Sequence, residues 1–241
     1  MGHTPDERTN DESASPPANA FGWANWKPGD PLPAGVSQRD ADRLSADLRR
    51  ETRSQQPHLF EAINRDVGAF AAGRGEQHRW HTPAGRVFAM LRLLLVADAY
   101  PAMLLYRLRT SLHRNRVPII PHLLHRCCMM MAQVCIGEPV VIEPGVYLLH
   151  GQVVIDGSVS IGSGTQIAPW VTIGLLGGNS QGPTIGNDVF VGTGAKVLGP
   201  VTVGDRSMIA ANAVVIDDVP PDTTVAGAPA LVVADRRSAA T

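Results

Sequence analysis

The sequence has few cysteines and almost no net charge, and its first residues lack the features of a signal peptide. The three cysteines, Cys127, Cys128 and Cys135, are an odd number without the spacing of a metal site or of paired disulfides. We therefore expect no metal and a reduced, cytoplasmic setting. A formal net charge of -1 argues against binding to nucleic acid or to an anionic membrane surface. The opening residues lack the basic and apolar parts of a secretory signal.

Long uninterrupted hydrophobic runs are also missing. The most apolar segment, residues 87–112, is interrupted by Arg92, Asp98 and Pro101. A transmembrane helix needs about 20 consecutive apolar residues and rarely contains ionised side chains. We therefore predict no membrane span here, but two helices that break near Pro101.

A small helical region is predicted over residues 58–134. Apolar residues at helical spacing begin at Leu59 and end at Gly73, and a last helix is predicted from Pro118 or Pro121 to about Val134. The preceding residues 1–57 contain few aliphatic side chains, so they cannot bury enough apolar surface to offset their chain entropy. We predict a disordered N-terminal tail there and a short C-terminal tail over residues 234–241.

A repeat of six residues dominates the chain from residue 136 to residue 215. Each repeat begins with an aliphatic residue and has a second small or β-branched residue four positions later. A period of six fits neither an amphipathic helix nor a two-sided strand. The aliphatic positions are Ile136, Ile142, Leu148, Ile155, Ile161, Ile167, Ile173, Ile185, Val191, Val197, Val203, Ile209 and Val215.

This repeat predicts a mainly β fold, a parallel β-helix with a triangular cross-section over residues 135–233. Each hexad would make one short strand and one corner, and each aliphatic side chain would stack on its equivalent in the next turn. Two interruptions break the register: one extra residue between Leu148 and Ile155, and the glycine-rich segment 174–184 in place of one hexad. We expect the helices to cover the unpaired strand edge at the open end of the stack.

A single histidine, His150, lies within the repeat. It stands at an outward-facing position next to the first interruption, and an imidazole can accept a proton near neutral pH. From the pattern alone, a general base and a solvent-exposed corner residue are equally supported. The segment 174–184 is too long for a corner, and the backbone N–H groups of its first residues could stabilise an oxyanion.

Residues 133–230 resemble the hexapeptide-repeat acyltransferases, and most of all the serine O-acetyltransferases. The segments that show the likeness are VTIG at 171–174, IGNDVFVGTGAKVLG at 185–199 and VPPDTTVAGAPA at 219–230. The resemblance implies a left-handed parallel β-helix that forms a homotrimer, with acetyl-CoA in the groove between two subunits. It also implies transfer of acetyl to a small-molecule hydroxyl acceptor, with serine as the leading candidate. Whether trimers join into a larger assembly is left open.

The same resemblance assigns roles to individual residues. His150 aligns with the family's catalytic histidine and is expected to act as the general base. Gly174 or Leu175 would donate a backbone N–H to the oxyanion. Lys196 could meet a phosphate of CoA or be a plain corner lysine. The predicted acetyl-CoA site consists of Leu175, Thr193, Ala195, Lys196 and Ala211, with Trp170 and Gln181 at its rim.

The sequence departs from the family at residues that serve the histidine and the serine substrate. The aspartate that orients the family's histidine aligns with Cys135, and the acidic residue before that histidine is Leu149 here. The family's Arg-His pair, which helps to hold serine, falls on residues 181–182. Losing this charged partner should slow general-base catalysis without abolishing it, unless Glu138 or Glu143 replaces the aspartate.

Other classes of function therefore stay open. The chain could acetylate a sugar or another biosynthetic intermediate, on oxygen or nitrogen. It could also be a non-catalytic repeat scaffold, a hypothesis that the loss of the aspartate keeps open, whereas His150 and the intact segment GTGAK at 192–196 favour the enzyme. A β-helical metalloenzyme of the carbonic anhydrase type needs three histidines on the coils, and the repeat contains only His150, so we set this class aside.

Overall fold

The computed structural model describes residues 50–52, 54–76, 82–176 and 181–235. Residues 50–52 and 54–55 are helical. The helices that follow are α1 (Leu59–Gly73), α2 (Pro83–Val96), α3 (Tyr100–Arg114) and α4 (Ile120–Ala132). The strands are β1 (Val134–Ile136), β2 (Val140–Ile142), β3 (Tyr147–Leu148), β4 (Val153–Ile155), β5 (Ser158–Ile161), β6 (Gln166–Ile167), β7 (Thr172–Gly174), β8 (Gln181–Ile185), β9 (Phe190–Val191), β10 (Lys196–Leu198), β11 (Thr202–Val203), β12 (Met208–Ile209), β13 (Val214–Val215), β14 (Thr223–Ala226) and β15 (Leu231–Asp235).

The strands form three sheets that are the three sides of a parallel β-helix. Their orders are β1-β4-β7-β10-β13, β11-β8-β5-β2 and β15-β14-β12-β9-β6-β3. As far as β12, each strand in a sheet therefore pairs in parallel with the strand three positions earlier or later, so that three strands complete one turn. β14 and β15 pair antiparallel and end the stack. The predicted fold is confirmed.

The aliphatic residue of each hexad points into the coil. All thirteen aliphatic positions of the repeat are at most 2% exposed. They also stack in register, since Ile155 pairs with Ile136 on one side and with Ile173 on the other. Each such side chain contributes about 1.5–3 kcal/mol through burial. A column of equivalent residues therefore stabilises the turns pairwise along the stack.

The two interruptions of the repeat differ in the structure. The extra residue before Ile155 is accommodated at a corner, where Gln152 has a φ of +63°. The glycine-rich excursion is shorter than predicted, because its last residues, 181–184, already belong to β8 and pair with β5. Continuing the ladder satisfies backbone groups that a loop would leave to solvent. Residues 177–180 lie outside the described residues.

The helical region covers the first turn of the coil, as predicted. Tyr106 Oη donates to Val140 O at 2.9 Å, and Arg109 donates to the carbonyls of Ile136 and Gly137, both at 2.7 Å. Arg107 donates to the carbonyl of Glu143 at 3.0 Å. These donors on α3 satisfy the carbonyl groups of a strand edge that has no further turn to pair with.

The bounds of the helices and tails agree only in part with the predictions. α1 ends at Gly73, and α2 and α3 break at residues 97–99, just before Pro101. The predicted N-terminal tail lies largely outside the described residues. Its last part packs on the coil, since Gln56 is buried and donates to Val140 O at 2.8 Å. At the other end, β15 extends to Asp235, and residues 236–241 lie outside the described residues.

Within the described residues, no single helix has the length and hydropathy needed to cross a membrane. α2 and α3 satisfy those criteria only when taken together, and they are bent by 114° at their junction.

Candidate functional site

One corner of the β-helix, the corner column, repeats from turn to turn between the sheet that contains β3 and the sheet that contains β1. In each turn one residue of this corner has a positive φ, between +57° and +75°. Backbone hydrogen bonds of 2.8–3.0 Å join successive corners. From the first turn onward they run from Trp170 N to Gln152 O, from Gly194 N to Pro169 O, and from Asn212 N to Thr193 O.

His150 lies at the first level of the corner column. It follows the buried Leu148 at the end of β3, and its side chain is 63% exposed. The extra residue of the first interruption falls in this same corner, where Gln152 N donates to Ala132 O of α4 at 2.9 Å. The imidazole therefore projects where the coil meets the end of the helical region.

A carboxylate from the helical region contacts this imidazole. His150 Nδ1 and Asp98 Oδ2 are 3.0 Å apart. A carboxylate can only accept, so Nδ1 is the donor and Nε2 of the neutral ring is left as the proton acceptor. Both side chains are largely exposed, so the pair adds little to folding stability. Its consequence is the orientation and tautomer of the ring.

The structure does not bring Glu138 or Glu143, the two possible replacements for the missing aspartate, to the corner of His150. Each follows a different strand of the first turn, and so each stands at a different corner of the triangle from His150. Asp98 was noted in the sequence only as a charge that interrupts an apolar run. Its position at a break between two helices was the available signal, because loop residues held by buried neighbours often serve sites.

A cavity of about 340 Å³ lies beside the imidazole. Asp98 and His150 line it together with Gln133 and Gln152, and α4 contributes the exposed side chains of Met130 and Met131. No lysine or arginine lines this cavity within the described part of the chain. Its chemistry is thus one acid–base pair beside amide and thioether groups.

Thr193, Lys196 and Ala211, three of the predicted acetyl-CoA residues, lie on the outer surface in the turns that follow His150. Thr193 and Ala211 are exposed and occupy equivalent positions in successive turns of the corner column. Trp170 is 57% exposed and lies between them and His150. Lys196 lies in β10 rather than at a corner, and its Nζ donates to Trp170 O at 2.7 Å.

Ala195 does not belong to this surface. It is fully buried in the coil, its N–H donates to Gly192 O at 3.1 Å, and its carbonyl accepts from Thr172 N at 3.0 Å. The prediction that Ala195 contacts a ligand was therefore wrong. The residue is the small inward-facing member of its hexad, which the six-residue register already indicated.

Gly174 and Leu175 lie at the C-terminal ends of the strands of this sheet, whereas His150 lies at the N-terminal ends. Gly174 ends β7 and its carbonyl accepts from Gly199 N at 2.9 Å, whereas His150 comes before the neighbouring strand, β4, begins. The two edges are separated by the length of a short strand, about 10–13 Å. Leu175 is 41% exposed, and Gln181 lies in β8 on another side of the triangle. One chain does not bring these residues to its own His150.

No metal-binding cluster is found among the residues that the structure describes, since no three His, Cys, Asp or Glu side chains converge there. His125, on α4, is beside Arg109 Nη1 at 2.9 Å, and burial together with the Arg109 charge lowers the pKa of its imidazole. This histidine serves packing at the helix–coil boundary.

Comparison with known proteins gives the chain's relatives. Residues 182–217 match the family model described as bacterial transferase hexapeptide (six repeats). A serine acetyltransferase of Helicobacter pylori strain J99 is 38% identical over 148 residues, which are 60% of this chain and 86% of that protein. The serine acetyltransferase of Synechococcus elongatus is 36% identical over 146 residues, 59% of this chain and 60% of the relative. The match thus spans less than two thirds of the cyanobacterial protein.

Solved structures give the same result over a longer part of the chain. The serine acetyltransferase of Vibrio cholerae O1 biovar El Tor aligns with a TM-score of 0.62 and 29% identity, over 80% of this chain and 73% of that one. A serine acetyltransferase in complex with CoA aligns with a TM-score of 0.62 and 26% identity, over 78% and 74% of the two chains. With its hexad register, its β-helix and these relatives, the chain belongs to the serine acetyltransferase family.

Proposed function

We propose that this protein is an acetyl-CoA-dependent O-acetyltransferase with His150 as its general base and serine as the leading acceptor. The observation that supports it most is the contact between His150 Nδ1 and a carboxylate, which leaves Nε2 able to take a proton. This arrangement stands at the first level of the corner column, on the surface that also exposes Trp170, Thr193 and Ala211.

The proposed reaction uses this imidazole as the base. The acceptor hydroxyl would bind in the cavity, and Nε2 would take its proton while the oxygen attacks the thioester carbonyl carbon. The C–O bond forms, and the tetrahedral intermediate then collapses with cleavage of the C–S bond. The proton passes from the imidazolium to the departing thiolate, so the products are the acetyl ester and CoA. Stabilising the oxyanion requires a backbone N–H, for which Gly174 and Leu175 are the candidates.

We also propose that the active unit is a homotrimer. His150 and Gly174 lie at opposite edges of one sheet, so a single chain leaves the base and the proposed oxyanion donor apart. A neighbouring subunit would bring its own Gly174 edge against the corner column and close a groove for acetyl-CoA. In that groove Thr193 and Ala211 would contact the pantetheine arm, and Lys196 would lie within reach of a phosphate.

A second acceptor class is supported by the cavity itself. Met130 and Met131 form an apolar wall, and no cation lines the described part of the cavity to pair with a carboxylate. Such a lining would also accept a hydroxyl compound with an apolar part, such as a biosynthetic intermediate. A sugar and an amine are also included among the acceptors in the experiment below.

The experiment is CoA release from acetyl-CoA, followed with a thiol reagent, for the wild type and for His150→Ala. The acceptors are serine, homoserine, a hydroxylated sugar and an amino sugar. His58→Ala is the matched control, because His58 is exposed and its side chain caps no helix. We expect release that depends on one acceptor, a loss of about 100-fold or more in His150→Ala, and wild-type rates in the control.

Two results would contradict the proposal. Equal rates for the wild type and His150→Ala would exclude the imidazole as base. Absence of acceptor-dependent release together with absence of CoA binding in calorimetry would favour the non-catalytic scaffold.

A further inference from the structure

We infer that Asp98 is a positioning residue for His150, so that the helical region supplies the carboxylate that the coil lacks. This inference rests on the proposed function and assigns a role to a residue outside the repeat. Asp98 is separated from His150 by 52 positions in the chain, yet their side chains meet at 3.0 Å.

The backbone around Asp98 is held firmly although its side chain is exposed. Ala97 and Ala99 are 9% and 1% exposed, and Tyr100 is 1% exposed. Tyr100 also packs edge-on against Phe70 of α1, with ring centroids 5.2 Å apart. These buried neighbours anchor the junction between α2 and α3, and the carboxylate is thereby presented to the coil from a fixed point.

The chemical consequence is the choice of tautomer. When Asp98 accepts the Nδ1 proton, Nε2 has a free lone pair and can act as the base. When Nε2 takes the acceptor's proton, the ring becomes an imidazolium, and the adjacent carboxylate stabilises that charge. Without the carboxylate the neutral ring is free to place its proton on Nε2, a form that cannot act as the base at this position.

A competing role for Asp98 is to bind the ammonium group of an amino-acid acceptor. It faces the same cavity, and a carboxylate there could pair with such a group. The two roles differ in their kinetics, because loss of acceptor binding raises KM, whereas loss of the reactive tautomer lowers kcat.

The test combines kinetics with ¹⁵N NMR of ring-labelled histidine. In the wild type at pH 8.5, where an ordinary imidazole is neutral, we expect the His150 signals, assigned by their loss in His150→Ala, to report a proton on Nδ1. Asp98→Asn replaces the acceptor with an amide that can donate to Nδ1, so we expect the proton to move to Nε2. We expect kcat to fall about 10- to 100-fold with the KM for the acceptor changed less than about twofold.

Two further variants complete the experiment. Asp98→Glu retains the carboxylate and should recover part of the lost kcat. Asp217→Asn removes an exposed carboxylate outside the corner column and should leave both the kinetics and the NMR spectrum unchanged.

Each remaining outcome is decisive. A wild-type ring protonated on Nε2, an Asp98→Asn kcat equal to wild type, or a rise in acceptor KM alone would overturn the positioning role. If the wild type releases no CoA with any acceptor, the proposed function fails, and the NMR spectra of the wild type and Asp98→Asn still decide whether Asp98 sets the tautomer.

Discussion

At the scale of single residues, the structure shows why Cys135 cannot take the place of the family's orienting aspartate. Cys135, which aligns with the family's orienting aspartate, points outward from β1 and is half-buried. Burial, and secondarily the charge of Asp156, raises the pKa of its thiol above the ordinary value, so it stays neutral near pH 7. It therefore cannot supply the negative charge that stabilises an imidazolium. Asp98 is the carboxylate that contacts His150.

A prediction at the scale of single residues concerns the buried pair between Arg107 and Asp66. Arg107 Nε and Asp66 Oδ2 are 2.8 Å apart, both side chains are 2% exposed, and Asp66 also accepts from Gly145 N at 2.8 Å. Arg107→Met would leave the Asp66 charge buried without its partner. We expect the free energy of unfolding to fall by about 3–5 kcal/mol, measured by urea denaturation at fixed protein concentration.

The control for this change is Arg65→Met. Arg65 contacts Ser163 Oγ at 3.4 Å on the surface, so its loss should change stability by less than about 0.5 kcal/mol. Equal effects of the two substitutions would mean that the buried pair between Arg107 and Asp66 stabilises the fold no more than a surface contact does.

At the scale of elements, close stacking of successive turns requires glycine at some corners of the coil. Gly162 follows β5, and a Cβ built there would lie 2.6 Å from both the carbonyl carbon and oxygen of Gly186 in the next turn. These are backbone atoms and cannot rotate away as a side chain would. Gly68 in α1 differs, because a Cβ there meets nothing within 4 Å.

These two glycines therefore make a matched pair of alanine substitutions. Gly162→Ala should lower the free energy of unfolding by about 1–3 kcal/mol, because the turns must move apart. Gly68→Ala should raise it by up to about 1 kcal/mol, because alanine is the better helix former. Thermal unfolding at one protein concentration measures both, and a stabilising effect of Gly162→Ala would be incompatible with the close stacking described.

At the scale of the whole molecule, the separation of His150 from Gly174 makes assembly part of the function. Sedimentation equilibrium should give three times the chain mass of 25.7 kDa at micromolar concentration, for the wild type and for His150→Ala alike. Specific activity should fall on dilution to concentrations where trimers dissociate. A fully active monomer would refute the shared groove, though not the role of His150 itself.

Much of the fold could be read from the sequence because its signal is local and repeated. The buried Ile155 and its equivalents recur every six residues, and each turn packs only on its neighbours, so the pattern of one hexad predicts the next. The prediction failed where the register does not reach. Residues 181–184 joined β8 because an adjacent strand edge was available, and Gln56 packed on the first turn although its surroundings in the sequence are polar.

The sequence by itself determined the β-helix and the outward position of His150, since both follow from the hexad period. Only the tertiary structure decided which carboxylate meets the imidazole. Asp98 and His150 belong to different regions, and their contact depends on how α3 docks on the first turn through Tyr106, Arg107 and Arg109. A repeat specifies what lies within and beside its own coil, whereas contacts with a separate helical layer depend on packing between elements distant in the chain.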